Sequence, residues 1–538
     1  GGTSGAGGSA GMRDAGSDTG GTDLRRDDAT DGRGDGGGDV QPPGDVRSDT
    51  ASDLRIDAGS DGPVDAPAYG ADGGPIDAGA AEPYVAVLTG AEQVPPVDTA
   101  ASGNATLSYD VGTHVLSWTL THTIAAATAA RIHTAGAGDN GAPIFTLGVT
   151  MSTAGSVALD GLQEADLRLG HLYINVQSGA APAGEIRGQI LRPGESLWVA
   201  RLTGAEQVPA NPSAGTGAMS LIVNSAHTSA HYRLVTSLVP AGGHIHTGVA
   251  GVVGTPLTTL TFTGATSEAD LAFTAADFTA LDQTLLYANV HTTAFQDGEI
   301  RGQLLRAGSM FFVSKMTGDQ EVPPVSSTGT GNASLAVDYR STMVRYAVST
   351  SLTPTMAHIH PGIAGVSNPP ILTFTNLGAV FAGTGALTQP QVDALGAGRL
   401  YTNIHTAAFQ GGEIRGQLLR AGERLFAAGL SGGNEVPPVN SAATGAMQLV
   451  LNPAAASLRY ESAVTGLGDA TAVFMVNGPA GTAGGTPVAT LTLVGINPTG
   501  TLAVSASDVT NLQASRYHVD IHSSLHPEGE IRGQILPR

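Results

Sequence analysis

From Tyr84 onward, apolar and polar residues alternate with a period of two, the spacing of a strand that buries one face. Ala333-Ser-Leu-Ala-Val-Asp-Tyr339 and Val344-Arg-Tyr-Ala-Val348 carry the pattern, and clusters of Gly, Pro, Ser and Thr separate such runs. Each stretch of the chain holds about seven or eight runs, enough to close two layers over one core. The expected fold class is all-β, with Greek-key sandwich or barrel domains. One short helix is expected before the penultimate strand of a unit, where Thr274-x-x-Asp277, Thr388-x-x-Gln391 and Ser505-x-x-Asp508 read as capping boxes.

The pattern recurs. An opening motif, L-T-G-A-E-Q-V-P-P in its first copy, places glycines at Gly90, Gly204, Gly318 and Gly432, a constant spacing of 114 residues. A closing motif, G-E-I-R-G-Q, places its glutamates at Glu185, Glu299, Glu413 and Glu530. A period of this length is a whole domain, so the chain reads as tandem domains. The boundaries predicted are an arm at 1–80 and repeats at 81–194, 195–308, 309–422 and 423–538. Linkers such as Leu191-Arg-Pro-Gly-Glu195 are short, which predicts a semi-rigid array.

Composition narrows the functions. The arm holds 16 Asp, no Glu, 6 Arg and few bulky apolar residues, a mixture expected to remain disordered. Its Asp residues at four-residue spacing lack the D-x-D-x-D-G turn of a calcium loop and read as a solvated tether. The chain carries a formal net charge of -21 with Lys315 as its lone lysine, which argues against nucleic acid as a partner. Without cysteine, neither disulfides nor thiolate metal sites are open to it. No apolar run is long enough for a transmembrane helix. The start, Gly1-Gly2-Thr3, suggests a processed product and is similar to the tether behind the lipidated cysteine of bacterial lipoproteins, so a lipid anchor or free secretion is expected.

Taken together, G-x-x-E-V-P-P, the central A-x-I-H-x-G-x-x-G, Y-x-N-V-H-T and G-E-I-R-G-Q resemble the CHRD domain, named after chordin, in four copies spanning roughly 455 of the 538 residues. The resemblance implies an extracellular β-domain, common in secreted bacterial proteins and present in chordin, which binds growth-factor ligands. It implies no enzymatic activity. The expected partners are an extracellular protein or polymer, or further copies of the chain in a filament or surface layer.

The residues offer one further chemistry. His244 and His246 in repeat two, and His358 and His360 in repeat three, occupy alternate strand positions, so each pair shares a face. His291 and His405 lie on a later strand that can return beside them. Three neutral imidazoles suit copper or zinc with a fourth position open, and a structural histidine cluster is the alternative. Repeat one has Arg131, His133 and Gln177 at the corresponding places and repeat four Met475, Asn477 and His522, so no such metal is needed for folding. The H-x-H strand with a returning N-V-H strand is similar to the copper-zinc superoxide dismutase fold. Three imidazoles without a buried acidic ligand, however, fall short of a copper-zinc pair, and no nucleophile elbow accompanies the serines. An enzyme is therefore not expected. The pairs Glu185 and Arg187, Glu299 and Arg301, Glu413 and Arg415, and Glu530 and Arg532 recur in every copy, which predicts a structural ion pair or backbone anchor, with flanking glycines at a bulge or close strand approach. Glu92, Glu206, Glu321 and Glu435 of the opening motif are expected to tie down a loop.

Overall fold

The computed structural model describes residues 81–338 and 341–538; the arm, and with it the tether and its acidic ladder, lies outside the described residues, as does Tyr339. Repeat one sets the pattern with eight strands: β1 (Ala81–Thr89), β2 (Ser102–Asp110), β3 (Val115–His122), β4 (Ala127–Thr134), β5 (Pro143–Leu147), β6 (Ser152–Ala158), β7 (Leu172–Ser178) and β8 (Ile186–Gln189). They join antiparallel in the order β5-β4-β7-β8-β1-β2-β3-β6, a single curled, barrel-like sheet with Greek-key crossovers. The other three repeats repeat this order, so the all-β expectation holds. The helix α1 (Gly161–Arg168) lies before β7, with counterparts Ala275–Asp282, Gln389–Gly396 and Ala506–Gln513. All four helices begin in capping boxes, including one at Asp160 and Gln163 that the Ser/Thr pattern overlooked.

Each sheet wraps its own apolar cluster. In repeat one Tyr84, Leu88, Leu107, Leu116, Ile132, Ile174 and Ile186 are buried together, and each other repeat has an equivalent set drawn from its own residues. The two halves of a sheet differ outside. Strand β2 alternates buried and exposed positions along its length, whereas β7 and β8 are buried on nearly every residue. The β4-β7-β8 half is thus covered on both faces, and its outward side chains form a second, polar layer.

One contact recurs between adjacent repeats. The loop after the strand equivalent to β4 sets Gly138, Gly251 or Gly365, all at positive φ, against Ala218, Asn332 or Ala446 on the second strand of the next repeat. Small apolar groups seal it: Ala137 with Leu197 and Ile222 at the first junction, Ala364 with Leu425 and Val450 at the third. Arg345 Nε bonds Asp282 at 2.9 Å and Arg399 Nε bonds Glu461 at 2.6 Å across the later junctions. At the ends the contact surfaces change character. Repeat one carries exposed Asn104, Thr106 and Ser108 where repeat two buries Ser220 and Ile222, and the repeat-four loop exposes Pro479 and Ala480 where repeat three buries Ile363.

The second glycine of G-E-I-R-G-Q marks where the closing strand crosses the first. A Cβ at Gly188, Gly302, Gly416 or Gly533 would lie 2.6, 2.3, 2.4 or 2.5 Å from the carbonyl oxygen of Val87, Arg201, Lys315 or Gly429. Because the obstacle is backbone, Gly302→Ala should destabilise repeat two by about 2–3 kcal/mol or more. Calorimetry of the full chain checks this, and an unchanged transition would contradict the close crossing.

Candidate metal centre

The polar outer layer is laid out by strand register. In repeat three His358 sits opposite Asn403, which sits opposite Arg415; one row along, His360 faces Tyr401 and Tyr401 faces Gln417. The intervening Ala357, Ile359 and Ile404 point into the core, so alternation alone puts every one of these polar groups on the outer face.

The arginines hold the layer together. Arg187, Arg301 and Arg415 lie 3.5, 3.5 and 3.4 Å over the rings of Tyr173, Tyr287 and Tyr401. Each donates to carbonyls of the junction loop: Arg187 to Asp139 and Gly136, Arg301 to Val252 and Val249, and Arg415 to Ile363. Arg532 reaches Thr482 and Pro479 the same way, with His518 in the place of the tyrosine. The glutamates go elsewhere. Glu185 accepts from Thr99, Glu299 from Ser213 and Thr292, Glu413 from Ser327 and Thr406, and Glu530 from Ser441 and Ser523. Glutamate and arginine of one motif therefore do not pair with each other. Each anchors a separate loop.

The opening motif needs a correction of register. The residues that enter the layer are Gln93, Gln207, Glu321 and Glu435, so Glu92 and Glu206 stand one position before the first two of these. Gln93 Nε2 donates to Asn175 at 2.9 Å and Gln207 Nε2 to Asn289 at 2.8 Å. Glu321 instead accepts from Asn403 Nδ2 at 3.0 Å, which leaves Asn403 Oδ1 buried without a partner. Burial pushes the Glu321 carboxyl up to about 7. In repeat four Glu435 meets Asp520, and burial followed by that neighbouring carboxylate pushes it up to about 8.

The histidines of repeats two and three come together as expected. Ligand atoms of His244, His246 and His291, and of His358, His360 and His405, lie within 4.8 Å of one another. His360 Nδ1 donates to the Asn368 carbonyl at 2.7 Å and its ring stacks on Tyr401 at 5.0 Å. A carbonyl only accepts, so the proton is on Nδ1 and Nε2 keeps its lone pair; that Nε2 is buried without a hydrogen-bond partner. His405 Nδ1 likewise donates to Gln410 at 2.8 Å, and its Nε2 accepts from His358 Nδ1 at 3.2 Å. Repeat two reproduces this arrangement: His246 bonds Gly254, His291 bonds Gln296, His244 bonds His291, and His246 Nε2 is again buried and unpartnered. Desolvation, with the neighbouring imidazoles second, pushes His358 down to about 4, and burial also lowers His244, His246 and His360. Neutral rings with lone pairs aimed inward are what a metal ion requires.

The other repeats fill the same places differently. In repeat one Arg131 Nη1 donates to Gln177 at 2.9 Å where the second repeat has two imidazoles, while His133 keeps its stack on Tyr173. In repeat four the register assigns these places to Phe474 and Val476 rather than Met475 and Asn477, since Phe474 is the residue opposite Asp520. Met475 belongs to the core, and Phe474 packs edge-on against His522 at 5.1 Å as His358 does against His405. A one-residue offset between copies misled the reading by spacing.

The two perturbed groups of repeat three act oppositely on stability. The unfolded chain protonates His358 below about 6.5 and the fold only near 4, so acid favours unfolding across that window. The folded Glu321 carboxyl keeps its proton up to about 7 whereas the unfolded one releases it near 4.5, so rising pH disfavours the fold there. Glu321→Gln, which restores the amide found in repeats one and two, removes the second effect alone. The variant's stability relative to the parent should climb from pH 4.5 to 7, then level at a gain of about 1–2 kcal/mol. Calorimetry across this range checks it; parallel profiles would contradict a buried, protonated Glu321.

Comparison with known proteins follows the same division of the chain. The sequence profile described as the CHRD domain matches residues 84–190, 198–304, 312–418 and 426–535. No curated protein matches the sequence. Among solved structures, one titled "The Structure of Intact Ap-TbpB (N and C lobes)" is 8% identical, over 63% of this chain and 77% of that one, with a TM-score of 0.10, too low to bear on the fold. Four successive matches that take in every repeat's opening loop, imidazole strands and closing motif establish that the chain belongs to the CHRD domain family.

Proposed function

We propose that this chain is a non-catalytic binding and spacer protein of the cell exterior or surface, in which repeats two and three each hold one copper or zinc ion. The observation that carries the reading is the buried, unpartnered Nε2 of His246 and of His360, each facing two further imidazoles of its own repeat. A metal held by His360 Nε2, His405 Nε2 and His358 takes the place of the proton between His358 and His405. That exchange costs the site only a tautomer change at His358. A three-imidazole set leaves one coordination position for a ligand from a partner, so the ion serves as a recognition point.

The carbonyl bonds that immobilise the rings favour binding over turnover. The acidic arm supplies reach, and linked sites multiply affinity for a repetitive partner. The family's extracellular character supports export, and among the described residues no helix is long and apolar enough to cross a membrane.

Titration of the chelator-treated full chain with copper and zinc tests the reading. His246→Gln and His360→Gln should each remove one equivalent and the double variant two. A double variant that binds as many equivalents as the parent would refute it.

A further inference from the structure

A third cluster lies between repeats one and two, apart from the two triads. His171 stands at the start of the strand that follows α1, while His231 and Glu268 lie on paired strands of repeat two, Ser229–Thr236 and Thr266–Ala272. Their ligand atoms fall within 4.8 Å of one another. His171 Nε2 and His231 Nε2 approach the same oxygen, Glu268 Oε1, at 3.5 and 3.3 Å.

Three features mark this as a place for a cation. First, the outer nitrogens are already engaged by carboxylates: His231 Nδ1 lies 2.9 Å from Asp270 and His171 Nδ1 lies 3.6 Å from Asp166. At His231 this hydrogen bond holds a proton on Nδ1, the usual second layer of a histidine metal ligand, and at His171 the Asp166 carboxylate stands on the same side of the ring. Second, both Nε2 atoms converge on one carboxylate oxygen: His231 Nε2 hydrogen-bonds Glu268 Oε1 at 3.3 Å and His171 Nε2 lies 3.5 Å from it, so an ion would take the place of the proton between His231 and Glu268. His171 Nε2 is buried and has no hydrogen-bond partner. Third, Arg233 Nε holds the other oxygen, Glu268 Oε2, at 3.3 Å, so the carboxylate is oriented with Oε1 toward the two imidazoles.

The sister junctions make the contrast. There Arg345 with Asp282, and Arg399 with Glu461, bridge the repeats directly; at the first junction Arg201 donates to the Gln93 carbonyl, and the group that meets a carboxylate of the next repeat is the imidazole of His171. We infer that repeats one and two are clamped by a borderline divalent metal such as zinc, bound by His171 from one repeat and His231 and Glu268 from the next. Two imidazoles and a carboxylate around one ion form a set that zinc accepts. The clamp adds a metal-dependent link at the first junction beside the apolar seal of Ala137, Leu197 and Ile222.

The test uses the full chain carrying His246→Gln and His360→Gln, so that zinc held by the triads is removed from the count. Equilibrium dialysis with zinc at pH 7.5 should leave one equivalent, and adding either His171→Gln or Glu268→Gln should abolish it. Circular dichroism and melting in chelator should match the parent for both variants, and agreement of the two protects the result from a folding defect in either. No residual zinc in the starting variant, or residual zinc indifferent to both added substitutions, overturns the inference. Loss of the triad equivalents bears on the preceding section alone, so failure of one reading is distinguishable from failure of the other.

Discussion

The structure depends on the burial of one half-sheet on both faces. The inner face meets an ordinary apolar core, but the outer face has arginine, tyrosine, histidine and amides, and polar groups removed from water must find partners. The guanidinium of the closing motif meets that demand by stacking on a tyrosine and donating to the carbonyls of the junction loop. Fixing this loop has two consequences at once. It supplies the carbonyl that orients the histidine ring, and it shapes the small apolar knob that docks on the next repeat.

Against that common frame, the four repeats differ in a handful of side chains. The places where repeats two and three gather three imidazoles hold an arginine-glutamine hydrogen bond in repeat one and a phenylalanine against a single histidine in repeat four. The scaffold thus tolerates several fillings without changing its strand order, because the core and the arginine layer carry the stability. Glutamate for glutamine, and aspartate for asparagine, vary in the same way beside the arginine, turning amide contacts into buried acids.

Much of this was legible in the chain. Period-two alternation yields the strands, the 114-residue spacing the repeats, and threonine or serine caps three of the four helices. The H-x-H pairs and the returning histidine were readable because a strand fixes which residues share a face. What sequence could not supply was pairing between strands. Register alone decides that Arg415 meets Tyr401 and the loop instead of Glu413, that Gln93 rather than Glu92 enters the layer, and that Phe474 rather than Met475 occupies the imidazole place. The cluster of His171, His231 and Glu268 was beyond reach for the same reason, since its members lie on two domains and share no motif.

The account rests most heavily on neutral imidazoles whose protons are held at Nδ1 by backbone carbonyls in the outer layer. Nitrogen-15 NMR of the histidine-labelled, metal-free chain at pH 7 reads that state directly. His246 and His360 should each show a protonated Nδ1 and a bare Nε2. Imidazolium signals, or a proton on Nε2 of His360, would contradict the account.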